Sequence, residues 1–174
     1  KARECYEGIL PVMLRVNDSA QIVLAYINLG TICRTVRDYP ASFGYLRKAI
    51  SWLSAFRDRS LLTTAYIELG TTYRATGDLA QARKYLKESL VISTGTLSKT
   101  NSMEALSRLS EIEETEGNPS KALAYFRQYT ILKDSVMNDE TRKSVSEIQL
   151  KYDIQKKEYQ NEVLNRKYEF QKRR

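Results

Sequence analysis

In 174 residues the chain carries 28 Lys and Arg against 21 Asp and Glu, a formal charge of +7, with 7 Gly, 3 Pro and no histidine. The lack of histidine removes the commonest general base, the Ser-His and Cys-His nucleophile pairs, and every histidine-bearing zinc site. So few helix breakers, among long runs of Leu, Ala, Tyr, Lys, Arg, Glu and Gln, predict an all-α chain with room for one core or for three to four stacked helical hairpins. Strand signals are missing: no alternating Val/Ile/Thr run is bounded by turn residues, and neither Asn-Gly nor Asp-Gly occurs. The positive charge is dispersed, with 18 basic and 14 acidic side chains in residues 1–138 and 10 and 7 in residues 139–174. Mixed-sign solvated helix faces explain that better than a nucleic-acid surface, and only Arg166 to Arg174 form a basic cluster. Cys5 and Cys33 lack CxxC spacing and read as small buried hydrophobes. No stretch reaches 18 apolar residues.

A displacement of 40 organises the chain. Tyr26-Ile27-Asn28-Leu29-Gly30-Thr31 matches Tyr66-Ile67-Glu68-Leu69-Gly70-Thr71, and 40 further on comes Leu106-Ser107-Arg108-Leu109-Ser110-Glu111. Ser42, Ala82 and Ala122 repeat at the same offset, as do Leu46, Leu86 and Phe126. One period backwards falls on Ala2 and Tyr6, so the chain opens inside the second helix of an earlier unit and reads as part of a longer protein. In chain order, Pro11 is expected to kink or end that leading helix. Asn17-Asp18-Ser19 caps a first helix ending near Arg37, and Pro40 begins the second. Asp58 opens the next pair and Gly77-Asp78 divides it. Ser93-Thr94-Gly95-Thr96-Leu97-Ser98 is expected to be the longest loop; Asn101 or Ser102 starts the third pair, which turns at Gly117-Asn118-Pro119. The repeats are thus placed at about 19–57, 58–97 and 98–137, after a partial one at 1–16, in a repeat domain over 1–138. Gly30 and Gly70 are expected where partner helices cross closely, with Ala49, Ala82 and Ala122 opposite.

An aromatic, Leu-Gly three and four residues on, another aromatic, then Ala-x-x-x-aromatic in the second helix resembles the tetratricopeptide repeat (TPR). Tyr66, Leu69, Gly70, Tyr73, Gly77, Asp78, Ala82 and Leu86 carry the likeness best. The first unit departs at Cys33 and Ser42, the third at Ser110 and Glu113, and the closing proline is replaced by Ser54, Thr94 and Asp134. Without that proline the second helix is expected to run on by the six residues that separate 40 from the usual 34. The resemblance implies a right-handed superhelix of stacked antiparallel helix pairs that binds protein or peptide ligands and is not an enzyme.

From about Asp139, 36 residues hold no Gly and no Pro. Val145, Ile148, Tyr152, Tyr159, Val163 and Phe170 keep a three-four rhythm with a stutter, which predicts a long coiled-coil-like helix over 139–174, capping the repeats to about Tyr152 and pairing with a second copy beyond. Long-period TPR units ending in Tyr125 to Ser135 and followed by a Lys/Glu-rich helix resemble the sensor regions of Bacteroidetes membrane regulators. That likeness implies a transmembrane span beyond Arg174, leading to a histidine kinase core or a LuxR-type DNA-binding domain, with the present part periplasmic or cytoplasmic.

Glu111, Glu113, Glu114 and Glu116 are the densest carboxylates and read as a solvated helix end, so neither a metal nor a cofactor is expected. Binding is the remaining function. First helices of stacked hairpins line the inner side of a solenoid, where Asn28, Thr31, Arg34, Glu68, Thr71 and Arg74 are predicted to lie, with Arg34 and Arg74 one above the other and able to hold a carboxylate or acidic peptide. Arg47, Lys87 and Arg127 also repeat, on second helices, where solubility accounts for them. Two functional readings result: a signal-input domain that passes binding to its C-terminal helix, and a static scaffold or oligomerisation module.

Overall fold

The computed structural model describes Tyr6, Gly8, Leu10, Pro11 and Arg15, all helical, together with residues 18–56 and 58–172. The expectation of a kink at Pro11 rests on neighbours outside the described residues, as do Cys5 and Asn17. From Ser19 on, the described residues form α1 (Ser19–Thr35), α2 (Tyr39–Phe56), α3 (Arg59–Ala75), α4 (Leu79–Gly95), α5 (Lys99–Thr115) and α6 (Pro119–Lys172). No strand occurs among the described residues, so the fold is an all-α solenoid of helix pairs. Two compact units divide between Leu132 and Lys133. The repeats belong to the first.

Helix starts recur every 20 residues, at 19, 39, 59, 79, 99 and 119, so the 40-residue period is two half-units of equal length. Contrary to expectation, the second helix therefore does not absorb the extra residues alone: the first helices have 17 residues each, and α2 and α4 have 18 and 17. Aspartates enforce this grid. Asp18 accepts from Gln21 N at 3.2 Å, Asp38 from Ala41 N at 3.2 Å, Asp58 from Ser60 N and Leu61 N at 2.9 and 3.0 Å, and Asp78 from Gln81 N at 3.0 Å. Each satisfies first-turn donors that have no partner within the helix.

The helix ends are equally regular. Asp78 N donates to Tyr73 O at 3.0 Å, and the same bond joins Asp38 to Cys33, Ser98 to Ser93 and Asn118 to Glu113. Residues just before these donors take a left-handed backbone, with φ of 85° at Gly77, 72° at Gly117, 63° at Arg37 and 56° at Leu97. One three-residue linker thus terminates a helix in a Schellman motif and caps the next. The segment Ser93 to Ser98 is no longer loop than the others, contrary to expectation. The hydroxyls of Ser93 and Thr94 turn back onto Leu90 O at 3.1 and 2.7 Å, so α4 tolerates them and continues through Gly95. Accordingly α5 begins at Lys99, ahead of Asn101, and α1 ends at Thr35, ahead of Arg37.

Packing follows the repeat. Ile22, Val23, Tyr26 and Ile27 of α1 meet Ala49 and Leu53 of α2 and Ala65 of α3, and Ile67 of α3 meets Ala82 and Leu86 of α4 and Ala105, Leu109 and Ile112 of α5. A Cβ on Gly30 would stand 2.6 Å from Leu46 Cγ, and one on Gly70 2.8 Å from Leu86 Cγ and 3.1 Å from Ala82 O. The close crossing predicted for both glycines is present. In the third hairpin Ser110 takes the glycine position and donates to Ala122 O at 3.0 Å. There Phe126 is 52% exposed, where Leu46 and Leu86 are fully buried.

The long helix shows no break at 136–138, where the grid would place another linker. The sequence beyond explains it. Gln149 stands where Leu29, Leu69 and Leu109 are buried, and Leu150 where Gly30 and Gly70 permit close approach, so a further hairpin would bury an amide and overpack its crossing. In the second unit Ile148, Leu150 and Ile154 are exposed. The side chain of Tyr152 lies outside those described, and with it the expected extent of capping.

Candidate binding face on the first helices

Helices α1, α3 and α5 place repeat-equivalent residues in register. Arg34 Nη2 on α1 pairs with Glu68 Oε2 on α3 at 3.1 Å, and Arg74 Nη1 on α3 pairs with Glu111 Oε2 on α5 at 2.8 Å. Glu111 also approaches Arg108 Nη1 at 3.6 Å, and Arg108 Nη2 lies 3.6 Å from Glu104. A ladder of opposite charges therefore runs from one first helix to the next. Asn28 Nδ2 donates to Tyr6 Oη at 3.0 Å, extending it backwards.

The two arginines are not a pair of open guanidinium groups, because each already faces a carboxylate of the following unit. An incoming anion must exchange with Glu68 or Glu111, or use the remaining donors. Arg34 Nε and Arg108 Nε are enclosed without a hydrogen-bond partner among the described atoms. Thr31 and Thr71 donate to the carbonyls of Ile27 and Ile67 one turn back, at 3.1 and 2.8 Å, and Thr71 is buried. Threonine at these positions thus closes its own hydroxyl against the helix. Arg108, Glu104 and Glu111 are absent from the set read from sequence, although Arg108 and Glu111 stand 40 residues after Glu68 and Thr71; extending the period by one unit would have found them.

The acidic end of α5 is also different from expectation. Glu113 is only 2% exposed; Arg83 Nε donates to its Oε1 at 2.9 Å and Asn118 Nδ2 to its Oε2 at 3.1 Å, while Arg83 Nη2 pairs with Glu116. This end is a partly buried ion pair, with the Glu113 carboxylate inside, clamping α4 to α5 where the preceding unit places Tyr73 against Phe43 at 4.6 Å. Burial alone would lower the pKa of Arg83, but its hydrogen bonds to Glu113 and Glu116 overcome this and raise it. Burial raises the Tyr66 phenol above its ordinary 10.0, reinforced by Glu88 and Tyr85. Among the described residues no group of three or more Cys, Asp or Glu is placed to hold a metal, and no helix is long and apolar enough to cross a membrane. Cys33 is fully buried. Arg47, on the outer side of α2, lies 5.8 Å over the Phe43 ring, covering apolar surface.

Equal helices on a 20-residue grid, small residues at the crossing within each pair, and ion pairs from unit to unit define a helical-hairpin repeat solenoid. Residues 61–130 match the family model of the tetratricopeptide repeat. Solved structures share the fold: BtubC (BKLC) from P. vanneervenii at a TM-score of 0.68 and 19% identity over 78% of this chain, and the TPR domain of Arabidopsis FLU at 0.62 and 16% over 67% of this chain and 98% of that one. MamA is similar at 0.56 and 16%, over 78% of this chain and 81% of that one. The present chain spans 56% of BtubC. No curated protein sequence matches it.

Proposed function

We propose that this chain is a protein-interaction and ligand-sensing domain that takes its partner on the face formed by α1, α3 and α5 and transmits occupancy to α6. Tetratricopeptide units use extended inner surfaces of this kind. The observation that carries the reading is the pairing of Arg34 with Glu68 and of Arg74 with Glu111, each bridging successive units. A ligand carboxylate that displaces Glu68 or Glu111 breaks a tie between units, so binding is coupled to the spacing of the repeats. Asn28, Thr31 and Thr71 shape the face around these pairs. The signal-input role in a membrane-linked histidine kinase or LuxR-type regulator belongs to this proposal, as does pairing of two chains through α6, for which exposed Ile148 on its three-four stripe provides an apolar contact.

A fluorescent hexaglutamate peptide tests the face. Arg34→Ala combined with Arg74→Ala is expected to weaken its binding at least tenfold at low salt, with a smaller effect at high salt. Unaltered anisotropy curves would reject the face as the binding surface. Hydrogen exchange along α6 separates sensing from a static scaffold: protection that shifts with peptide supports transmission, and protection indifferent to it leaves only the scaffold.

A further inference from the structure

Helices α4, α5 and the first part of α6 line a solvent-open cavity of about 430 Å³, walled by Leu90, Leu97, Leu106, Ile131 and Leu132. Its origin is legible in the repeat. One period earlier the equivalent positions carry Leu53, Leu62 and Tyr66, of which Leu53 and Leu62 share one packed cluster; here they are Ser93, Ser102 and Leu106. Three large side chains have given way to smaller ones at a single place. Both serines spend their protons locally, Ser102 Oγ donating to Ser93 Oγ at 2.8 Å and Ser93 Oγ to Leu90 O at 3.1 Å. They contribute space more than open donors.

The rim has a sign. Among the described residues, Lys99 is the one charged side chain lining the cavity. It begins α5, whose N-cap is Ser98 with no side-chain cap bond, while Asp18, Asp38, Asp58 and Asp78 hold the corresponding positions on the four preceding helices. The negative charge that closes the four preceding helix starts is missing beside the cavity. An apolar space of this volume, within the range of small-molecule sites, beside a cation and a helix start favours one occupant class.

We propose that this cavity binds a small amphiphilic carboxylate, its aliphatic body among the leucines and its carboxylate at the Lys99 end of α5. The site shares no residue with the first-helix face, so each can fail without the other. A ligand seated here touches Gln128, Ile131 and Leu132 of α6 directly.

Calorimetric titration of the full chain with dodecanoate, below its micellar concentration, is the test. Saturable binding at one site is expected, with a Kd of about 10 μM. Ser93→Leu with Ser102→Leu restores the residues of the preceding unit; it is expected to keep or raise the melting temperature and to weaken binding at least thirtyfold. Leu106→Tyr fills the same space independently and reads the same outcome should the double variant fail to fold. Lys99→Gln is expected to weaken dodecanoate about five- to tenfold while leaving dodecanol unchanged. The proposal is overturned by absent or non-saturable binding, by equal affinity of the parent protein for dodecanoate and dodecanol, by full affinity in the folded cavity-filling variants, or by a site that accepts only an apolar peptide.

Discussion

Gly30 shows how one missing methyl group sets the distance between two helices. A Cβ there would press on Leu46 Cγ, an atom near the root of a fully buried side chain with nowhere to retreat. Gly30→Ala is therefore expected to destabilise the chain by about 1–3 kcal/mol through overpacking. The helix-propensity gain of about 1 kcal/mol offsets only part of this. Chemical denaturation measures the balance, and a variant as stable as its parent would show that the crossing can widen freely. The repeat already contains the compensated version: Ser110 fits because it bonds Ala122 O and because Phe126 swings outward instead of filling the gap. Glu113 solves a different problem, replacing an aromatic contact between units with a buried carboxylate that Arg83 and Asn118 satisfy.

At 36–38, 76–78, 96–98 and 116–118 a three-residue linker ends one helix and starts the next, with termination and initiation sharing residues. Where the left-handed position falls on Gly77 or Gly117 the backbone is unstrained; at Arg37 and Leu97 a side chain tolerates the same φ at a cost of about 1 kcal/mol. Arg37 is exposed, so its replacement removes no core packing. Arg37→Gly is accordingly expected to raise stability by up to about 1 kcal/mol, seen as a higher denaturation midpoint with an unchanged slope. A lower midpoint would mean that the Arg37 side chain contributes more than its backbone costs. The aspartate caps make the same point from the other direction, since four of them at intervals of 20 fix the starts of α1 to α4 through bonds local to each first turn.

The repeated hairpins form a first unit whose helices bury one another's apolar stripes, while α6 continues into a second unit with an exposed apolar surface. Such a surface on a long helix calls for a partner, because helix propensity alone leaves isolated helices marginal. Under the proposed pairing through α6, Ile148→Glu, at a position 67% exposed, leaves the first unit untouched and is expected to convert a dimer into a monomer in sedimentation equilibrium. Equal mass in parent and variant would exclude Ile148 from any self-association. Sensing and pairing would then share one helix, whose first turns line the cavity beside Lys99 and whose later turns carry Ile148 and Ile154.

The 40-residue displacement, the all-α class, the glycine crossings and most helix starts were legible in the amino-acid sequence alone, because periodicity and capping are local: Gly70 and Asp78 mean the same thing in any hairpin of this type. Tertiary structure decided the rest. The run Ser93 to Ser98 looks like a loop by composition, yet its hydroxyls bond helix carbonyls only once α4 exists. Glu113 looks like a solvated acid and is buried because Arg83 arrives from 30 residues away. Arg34 and Arg74 were placed one above the other by the period, but their partners Glu68 and Glu111 depend on which side chains the stacking of α1, α3 and α5 brings within reach. The cavity beside Lys99 existed in the sequence as Ser93, Ser102 and Leu106, each smaller than the Leu53, Leu62 and Tyr66 that stood 40 residues earlier. Only the packing of three helices turned that deficit of volume into a space.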